Sequence, residues 1–386
     1  MNERLDQYSF VIVGAGGIGR AVGLLLRELG DFDSDLYFGD ISEAAAKSAV
    51  DLIVESSEMG GVTEHFVMPK EGSDDEMDAI FKKCDIVLDC LPGSQAPRIA
   101  RMAREHKLHY VNLTEYVKET EEIMEIAEGA ETAFVLQTGL APGFICVLAN
   151  ALCQEFMGQY NTDKVEHVRM RVGALTRSTR SPHFYGFTWS PIGVATEYIK
   201  PSVVIRDYKK TTLPSLSGRE TLIVGGITYE EALTSGGAAD LPDYFQDIAR
   251  NLDYKTLRFP GHYQWVQDIL DELPEGANRI AALEKTMLEN IPATEDDFVV
   301  IFSSVEGIDG NDGRFKSIEQ DYFIIPAQVG THVLRAIQTT TAAPMAECAR
   351  MVLKGGYKGV VKQSDLDPMA FLLGPFVSAI YNAGVE

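Results

Sequence analysis

The sequence predicts an α/β fold in two domains: a doubly wound parallel sheet, followed by an α+β domain built on a mixed or antiparallel sheet. Three observations support this prediction. The chain opens with an apolar strand that runs into a glycine-rich turn and then into an apolar-periodic helix. Strand-like and helix-like segments alternate from there to residue 137, which indicates βαβ units. The length of 386 residues is also large for a single core.

The glycine-rich turn GAGGIG, residues 14–19, directly follows the apolar strand 10–13. A GxGxxG segment between a strand and a helix is typical of a dinucleotide-binding, Rossmann-type domain. Gly14 permits the tight turn, Gly16 lets the backbone approach a pyrophosphate, and Gly19 allows close packing of the helix on the strand. Amides at the helix start would bind the phosphates. The alternative is a glycine-rich turn that binds nothing.

An acidic residue stands where the ribose of a dinucleotide is expected. The second strand, 35–39, ends in Asp40, about twenty residues past the glycines, where an acid meets the ribose hydroxyls. Ile41 and Ser42 follow, with no arginine to bind a 2′-phosphate. We therefore expect NAD as the cofactor, with NADP less favoured.

The rest of the first domain supplies three more loops for the cofactor. Predicted helices cover 42–57, 74–83, 95–107 and 117–130, and predicted strands cover 63–67, 85–89, 109–113 and 133–137. Right-handed crossovers then give a doubly wound sheet, whose ligand lies beyond the carboxyl ends of the strands. The loops 89–94, 112–116 and 138–143 fall there, unless they are plain βα turns. The predicted cofactor-binding residues are Gly14, Gly16, Gly17, Ile18, Gly19, Asp40, Ile41, Leu91, Pro92, Gly93, Leu113, Thr114, Gly139, Ala141 and Pro142.

The pattern changes after residue 158. Predicted strands lie at 164–173, 201–205, 220–225, 254–259, 297–305 and 314–325, with helices at 241–251, 262–272 and 278–289. Several of these strands alternate apolar with polar residues, as an antiparallel sheet with one solvated face should. An alanine-rich helix, 330–353, contains Pro344, which should kink it. The predicted domains are 1–143 for the dinucleotide, 144–329 for substrate and dimerisation, and 330–386 as helices that return to the first domain.

Composition restricts the partners. The net charge of −23 disfavours nucleic acid and anionic membranes, which require basic surface. The apolar runs are too short to span a bilayer, and the first nine residues do not resemble a signal peptide. Five cysteines without a CxxC pair indicate neither a disulfide framework nor a zinc site. We expect a cytoplasmic homo-oligomer, a dimer by preference, that acts on a small molecule.

The chain resembles the saccharopine dehydrogenase-like family of amino-acid dehydrogenases, which includes saccharopine reductases, lysine 6-dehydrogenases and carboxynorspermidine dehydrogenases. The segments that carry the resemblance follow one another along nearly the whole chain: VGAGGIG at 13–19, DCLPG at 89–93, HYVNLTE at 109–115, GLAPG at 139–143, TWSPIG at 188–193 and YKTLRFPGH at 254–262. The LPG and GLAPG loops and Asp40 are most similar to the lysine 6-dehydrogenase branch. Two segments depart from the pattern of the family, 173–183 and the QTTTA stretch 338–342.

The resemblance implies oxidation of a carbon that bears an amine, with hydride passing to nicotinamide. A substrate carboxylate calls for arginine. Arg258 is the first candidate, with a surface salt bridge as its alternative role. Arg177 and Arg180 flank a Ser/Thr-rich loop and are further candidates.

A substrate ammonium calls for a carboxylate, and Glu115 or Glu197 could supply it. Glu115 could instead contact the nicotinamide ribose or cap its helix, and Glu197 could lie on a solvated face. The amine must also lose a proton, and His262 is the preferred base because histidine titrates near neutral pH. A structural histidine is its alternative role. Weaker candidates for the base are Tyr116, His183 and, with a depressed pKa, Lys255.

The function expected from these features is that of an NAD(P)-dependent amino-acid dehydrogenase acting on a CH–NH2 or CH–NH group. Lysine or a lysine-derived compound is the first substrate candidate. One alternative is a saccharopine or carboxynorspermidine-type reductase that forms a secondary amine, for which several converging arginines would be needed. A second alternative, from another class, is a nucleotide sensor without catalysis.

Overall fold

The computed structural model describes residues 6–115, 117–177, 183, 185–274, 276 and 278–382. The chain divides into two compact units. The first unit comprises Met1–Phe144, Ala327–Leu334 and Gln338–Glu386, and the second comprises Ile145–Pro326 and Arg335–Ile337. The C-terminal segment 338–386 therefore belongs to the same unit as the N-terminal strands.

Strands and helices alternate along the N-terminal part of the first unit. These elements are β1 (Gln7–Val13), α1 (Gly17–Leu29), β2 (Asp33–Asp40), α2 (Glu43–Ser56), β3 (Thr63–Val67), α3 (Asp75–Phe81), β4 (Ile86–Asp89), α4 (Ala96–His106), β5 (His109–Asn112), α5 (Val117–Ala127) and β6 (Ala133–Val135).

The remaining elements form the second unit and the C-terminal part of the first. They are α6 (Phe144–Gln159), β7 (Val165–Thr176), α7 (Pro191–Ile199), β8 (Ser202–Arg206), β9 (Lys209–Leu213), β10 (Glu220–Val224), β11 (Ile227–Leu233), α8 (Leu241–Tyr244), β12 (Ala249–Arg258), α9 (His262–Glu272), α10 (Arg279–Asn290), β13 (Asp297–Ile308), β14 (Phe315–Ile324), β15 (Ala327–Val329), β16 (His332–Leu334), α11 (Ala336–Leu353), β17 (Gly359–Val361), α12 (Pro368–Leu372) and α13 (Pro375–Tyr381).

The first unit is built on a parallel sheet of seven strands in the order β17-β6-β5-β4-β1-β2-β3. The chain runs outward from β1 through β2 to β3, and then continues on the other side of β1 with β4. The order therefore reverses between β1 and β4, where ligands of doubly wound sheets bind. This confirms the predicted doubly wound fold. The sequence analysis did not predict β17, a three-residue strand that pairs with β6.

The second unit contains a mixed sheet whose main path is β10-β11-β12-β7-β13-β14. β12 and β7 run parallel to each other, and the other neighbours along this path are antiparallel. The turn between β10 and β11 reaches the far edge strand, because a Cβ on Gly225 would lie 2.6 Å from the ring of Phe323 on β14. The sheet is therefore strongly curved, and one face encloses an apolar cluster that includes Leu175, Tyr229 and Leu257.

Two predicted helices were wrong in extent. The predicted helix 241–251 is only the short α8, and the backbone is already extended from Ala249, where β12 begins to pair with β7. Pairing with a neighbouring strand outweighs local helix propensity there. The predicted helix 330–353 begins only at Ala336, because the residues before it form the β15–β16 hairpin. The sequence analysis also missed β9 and β11.

Candidate functional site

The glycine-rich turn after β1 leaves a backbone surface open at one position. Gly14 has a φ of +91°, and a Cβ there would lie 2.8 Å from the carbonyl carbon of Cys90. A Cβ on Gly19 would lie 2.0 Å from the carbonyl oxygen of Gly14. Both glycines are thus required for packing. Gly16, in contrast, has no atom within 4 Å of its Cβ position, and Gly16 and Gly17 are exposed, so a ligand can approach the backbone here.

Asp40 lies at the end of β2 beside this turn. Its Oδ2 accepts a hydrogen bond from the backbone amide of Ala15, and its Oδ1 accepts one from the amide of Ser42, each at 2.9 Å. The carboxylate is therefore fixed against the glycine-rich turn while its residue stays partly exposed. This arrangement fits an acid that binds ribose hydroxyls.

The loop after β4 is held by a buried acid that the sequence analysis did not single out. Asp89 is 1% exposed. Its Oδ2 accepts a hydrogen bond from the hydroxyl of Tyr110 at 2.7 Å, and its Oδ1 accepts one from the amide of Leu91 at 3.1 Å. Burial raises the pKa of Asp89 to about 6. Asp89 thereby fixes the backbone of the loop that begins at Cys90.

The GLAPG loop after β6 is tightly folded. The amide of Phe144 donates to the carbonyl of Gly139 at 2.8 Å, and the Ala141–Pro142 peptide is cis. Gly143 has a φ of +132°, and a Cβ there would collide with the backbone of Gly139. The Cβ position of Gly139 is 3.6 Å from Cδ2 of Leu113, so the loops after β5 and β6 are in contact.

The residues of the first unit thus fit a dinucleotide. Amides at Gly16 and Gly17 would hold the phosphates and Asp40 the adenine-side ribose, since α1 begins at the open turn. The other predicted cofactor-binding residues lie in or next to the five loops after β1, β2, β4, β5 and β6, and they differ in burial. Ile41 and Pro92 are exposed; Ile18, Leu91, Gly93, Leu113 and Ala141 are half-buried; Thr114 and Pro142 are buried.

In the second unit, the structure brings together Arg258 and His262 through a tyrosine. Arg258 ends β12, His262 begins α9, and Tyr198 lies on α7. Arg258 Nε donates to the hydroxyl oxygen of Tyr198 at 2.7 Å. That hydroxyl lies 2.9 Å from His262 Nε2, and His262 Nδ1 lies 3.3 Å from the carbonyl oxygen of His183. One consistent assignment has each group donate to the next, from Arg258 to His183.

Arg258 is a buried cation to which the described part of the chain brings no adjacent carboxylate. Its residue is 1% exposed. Across the described ranges, no carboxylate oxygen lies within 4.0 Å of its guanidinium nitrogens. The negative charge of Glu197 favours the charged form of Arg258 from a greater distance. Arg258 Nη1 donates to the carbonyl of Leu257 at 2.9 Å, and the guanidinium lies 4.6 Å from the ring centroid of Tyr185.

Arg171, the other fully buried arginine of this sheet, is paired quite differently. It contacts Glu231 at 2.6 Å and Asp253 at 2.7 Å. Buried charges are normally paired, and Arg258, unlike Arg171, has no carboxylate within ion-pair distance among the described residues. The hydroxyl of Tyr185, whose ring faces Arg258, is buried and also has no hydrogen-bond partner in the described part of the chain.

The environment of His262 holds its ring neutral. His262 has no exposed surface. Burial, together with the positive charge of Arg258, places its pKa well below the usual 6.5. A ring so enclosed is a weak base, and the predicted role as proton acceptor remains untested. His183, the weaker candidate, stacks its ring on Trp265 at 3.8 Å, and partial burial lowers its pKa.

The other predicted catalytic residues are distributed over both units. Arg177 is half-exposed and pairs with Asp296 at 2.6 Å. Glu197 is buried on α7, next to Tyr198. Glu115 is half-buried in the loop after β5 of the first unit. Tyr116 and Arg180 lie outside the described residues.

Lys255, a weaker candidate for the base, lies on the other face of β12 from Arg258. It is three residues before Arg258 on the same strand, and side chains of a strand alternate between faces. Its Nζ contacts Glu231 at 2.7 Å and also pairs with Glu220. Lys255 therefore belongs to the buried ion pairs around Arg171, on the opposite face from Arg258.

The sequence analysis missed Tyr198 and Tyr185 as members of this cluster. Tyr198 follows Glu197 directly in the sequence. This position, directly after a candidate residue, is the signal that could have identified Tyr198.

No group of three or more His, Cys, Asp or Glu side chains suited to a metal ion occurs among the described residues. Across those same residues, every helix is too short or too polar to cross a membrane.

Comparison with known families matches both parts of the chain. Residues 10–136 match the saccharopine dehydrogenase NADP-binding domain, and residues 139–380 match the saccharopine dehydrogenase C-terminal domain. Among solved structures, the chain is similar to the apo form of saccharopine dehydrogenase (L-Glu forming) from Saccharomyces cerevisiae. The TM-score is 0.74 at 16% identity, covering 97% of this chain and 98% of that one.

A second similar structure is homospermidine synthase from Legionella pneumophila, solved in complex with NAD. The TM-score is 0.65 at 12% identity, covering 99% of this chain and 91% of that one. At such identities, the two structural matches establish the shared fold. The two family models together cover most of the chain, so they establish the family to which it belongs as well as its fold.

Proposed function

The chain belongs to the saccharopine dehydrogenase family of oxidoreductases, and we propose that it is an NAD-dependent dehydrogenase of an amino acid. The reaction is oxidation at a CH–NH2 or CH–NH group, with lysine or a lysine-derived compound as the first substrate candidate. The bound nicotinamide would accept the hydride. The chain itself must bind the substrate's carboxylate, bind its amine, and accept the proton that the amine loses.

The observation that carries this proposal is the buried guanidinium of Arg258, which has no carboxylate within 4.0 Å among the residues that the structure describes. A buried charge is normally paired, and the carboxylate of an amino acid is the natural partner for the planar guanidinium group. Tyr198 orients Arg258 through a 2.7 Å hydrogen bond. The aromatic rings around it lower the local dielectric constant, which strengthens its attraction for an anion.

For the amine, Glu197 and Glu115 remain the proposed ligands. Glu197 is buried next to Tyr198 in the sequence of α7, whereas Glu115 lies in a loop at the carboxyl edge of the parallel sheet. For the proton, the neutral His262 is the proposed acceptor carried over from the sequence analysis, with Tyr116 as a second candidate. The low pKa of His262 makes this role the least supported part of the proposal.

NAD is the proposed dinucleotide, although the matched family model is described as NADP-binding. The support is the fixed carboxylate of Asp40, which would repel a 2′-phosphate and accept hydrogen bonds from ribose hydroxyls. Ile41 and Ser42 beside it carry no positive charge.

The test is reduction of NAD and NADP, followed by absorbance, with lysine, saccharopine, ornithine and other amino acids. We expect NAD reduction with lysine or a close derivative. Arg258→Met should then raise the KM for the amino acid at least about 100-fold, as expected for loss of a charged hydrogen-bonding group. Arg169→Met, which removes a partly exposed arginine paired with Glu306 at 2.8 Å, serves as the matched control. Absence of turnover with every compound, despite NAD binding, would refute the dehydrogenase.

A reductase that forms a secondary amine remains the alternative. Its substrate carries more carboxylates and would need several arginines. Arg177 is already paired with Asp296, so the described residues give this alternative no particular support. Activity only with saccharopine or a carboxylated polyamine in the same panel would favour it. We also propose that the chain forms a homodimer and that it acts in lysine metabolism.

A further inference from the structure

One face of α11 lies against three of the loops that carry the predicted cofactor-binding residues. Gln338, Thr341 and Met345 are spaced by three and four residues, so they share one face of the helix. Each of them contacts a different loop of the first unit. This helix was expected only to return to the first domain, and no role in binding had been expected for these residues.

The first contact is to the glycine-rich turn. Gln338 Nε2 donates to the carbonyl oxygen of Gly17, the first residue of α1, at 3.1 Å. Gly17 follows Gly16, where the backbone is open to a ligand. The two residues are 321 positions apart in the sequence, so the contact is not a local by-product of the turn.

The second and third contacts extend along the carboxyl edge of the sheet. Cγ2 of Thr341 lies 3.6 Å from the Cβ position of Gly139, in the loop after β6. Sδ of Met345 lies 3.7 Å from Sγ of Cys90, in the loop after β4. α11 therefore touches the loops after β1, β4 and β6, which border the place where a doubly wound sheet binds its ligand.

We propose that Gln338 is a positioning residue for the dinucleotide pyrophosphate. Its hydrogen bond to the carbonyl of Gly17 fixes the first residue of α1 against α11, which keeps the amides of the turn oriented toward the phosphates. Thr341 and Met345 keep α11 at a fixed distance from the neighbouring loops. This inference rests on the proposed function, since it requires that the first unit bind a dinucleotide.

The position also accounts for a departure from the family pattern. The QTTTA stretch at 338–342 is one of the two segments that depart from this pattern. A neutral amide at the first of these positions can donate to Gly17 without adding a charge beside the phosphates. Affinity for the pyrophosphate then depends on the amides of the turn and on their orientation.

The experiment measures binding of NAD and of ADP-ribose by calorimetry to the full chain. We expect Gln338→Ala to weaken both ligands roughly 3- to 10-fold, as for loss of one ordinary hydrogen bond. Gln338→Glu should weaken them further at low salt, because a carboxylate beside the phosphates repels them, and this extra loss should shrink at high salt. The melting temperature without ligand should remain unchanged.

Gln328 provides the matched control. It is an exposed glutamine whose Nε2 also donates to a glycine carbonyl, that of Gly330 at 3.2 Å, and Gln328→Ala and Gln328→Glu should bind both ligands like the unsubstituted chain. Equal affinities for Gln338→Ala, Gln338→Glu and the unsubstituted chain would overturn the inference alone. Failure of the unsubstituted chain to bind either ligand would overturn the proposed function, and this inference with it.

Discussion

The carboxylate of Asp40 accepts a hydrogen bond from the backbone amide of Ala15 at 2.9 Å. The acid at the end of β2 is thus tied to the glycine-rich turn after β1, so the groups expected to bind ribose and pyrophosphate form one rigid unit. A second bond, from the amide of Ser42, fixes the other carboxylate oxygen. Cofactor selectivity should therefore depend on Asp40 more than on Ile41 and Ser42, which follow it.

Substitution of Asp40 tests this dependence. Asp40→Ala should weaken NAD at least about 10-fold, since two ribose hydrogen bonds to a charged group are lost. It should weaken NADP less, because repulsion of the 2′-phosphate disappears with the carboxylate. Calorimetry with both dinucleotides gives the ratio of affinities. Asp35→Ala on the same strand, which removes a bond to the amide of Val62, should leave that ratio unchanged; an unchanged ratio in Asp40→Ala would refute the role of Asp40.

Substitution of Gly16 by alanine should weaken ligand binding without affecting folding. No atom lies within 4 Å of its Cβ position, so Gly16→Ala should fold with an unchanged melting temperature. The methyl group would still occupy the space through which a pyrophosphate approaches the turn, and dinucleotide affinity should fall more than about 100-fold. Gly158→Ala on α6, where the Cβ position is equally open, is the control. Normal dinucleotide binding by Gly16→Ala would contradict the proposed phosphate site.

The same substitution at the two buried arginines of the second unit should lower the free energy of unfolding by different amounts. Arg171→Met removes one of the cationic partners of the buried carboxylates Glu231 and Asp253, which keep Lys255 and Arg206 respectively, and should lower the free energy of unfolding by about 3–5 kcal/mol. Arg258→Met removes a buried charge that has no adjacent carboxylate, and should cost less than about 2 kcal/mol. Urea unfolding of both variants measures the difference. Equal losses would mean that Arg258 has a structural partner of comparable strength.

The protonation state of His262 can be observed directly. With Nε2 facing the hydroxyl of Tyr198 and Nδ1 facing the carbonyl of His183, the ring should stay neutral from pH 8 down to pH 5. Nitrogen-15 NMR of the imidazole, assigned by comparison with His262→Gln, detects this. A titration of the ring near pH 6.5 would contradict the arrangement and would restore His262 as an ordinary base near neutral pH.

Glu347 should make stability depend on pH. It is a buried residue of α11 that accepts from the amide of Phe376 at 3.1 Å and pairs with Arg350 at 3.0 Å. Burial raises its pKa from 4.5 to about 7. The folded state therefore binds the proton more tightly than the unfolded state, so this contribution to stability is present below pH 4.5 and is lost as the pH rises through 7.

Glu347→Gln removes that titration while keeping an oxygen to accept from Phe376. Between pH 5 and pH 8, the unsubstituted chain should lose stability relative to Glu347→Gln by about 1–3 kcal/mol. Chemical unfolding at both pH values gives the comparison. Parallel pH dependence in the two proteins would show that Glu347 does not titrate in this range.

Much of the first unit follows from local patterns in the sequence. The spacing of Gly14, Gly16 and Gly19 and the position of Asp40 after the second strand predict the site because backbone geometry dictates both. Strands and helices there alternate with periods that can be read directly. In the second unit, local patterns wrongly predicted that the helix 241–251 includes the start of β12. Local propensity does not contain the pairing of Ala249 with Val165 on β7, because that pairing joins residues far apart in the sequence.

The sequence by itself determined the doubly wound sheet, its glycine-rich turn, the acid beside it and the family. Only the tertiary structure decided which buried arginine pairs with carboxylates and that Tyr198 joins Arg258 to His262. It also decided that Gln338 reaches Gly17. The physical reason is distance along the chain: these contacts join residues 60 to 321 positions apart, so burial and charge pairing arise only after the elements have packed.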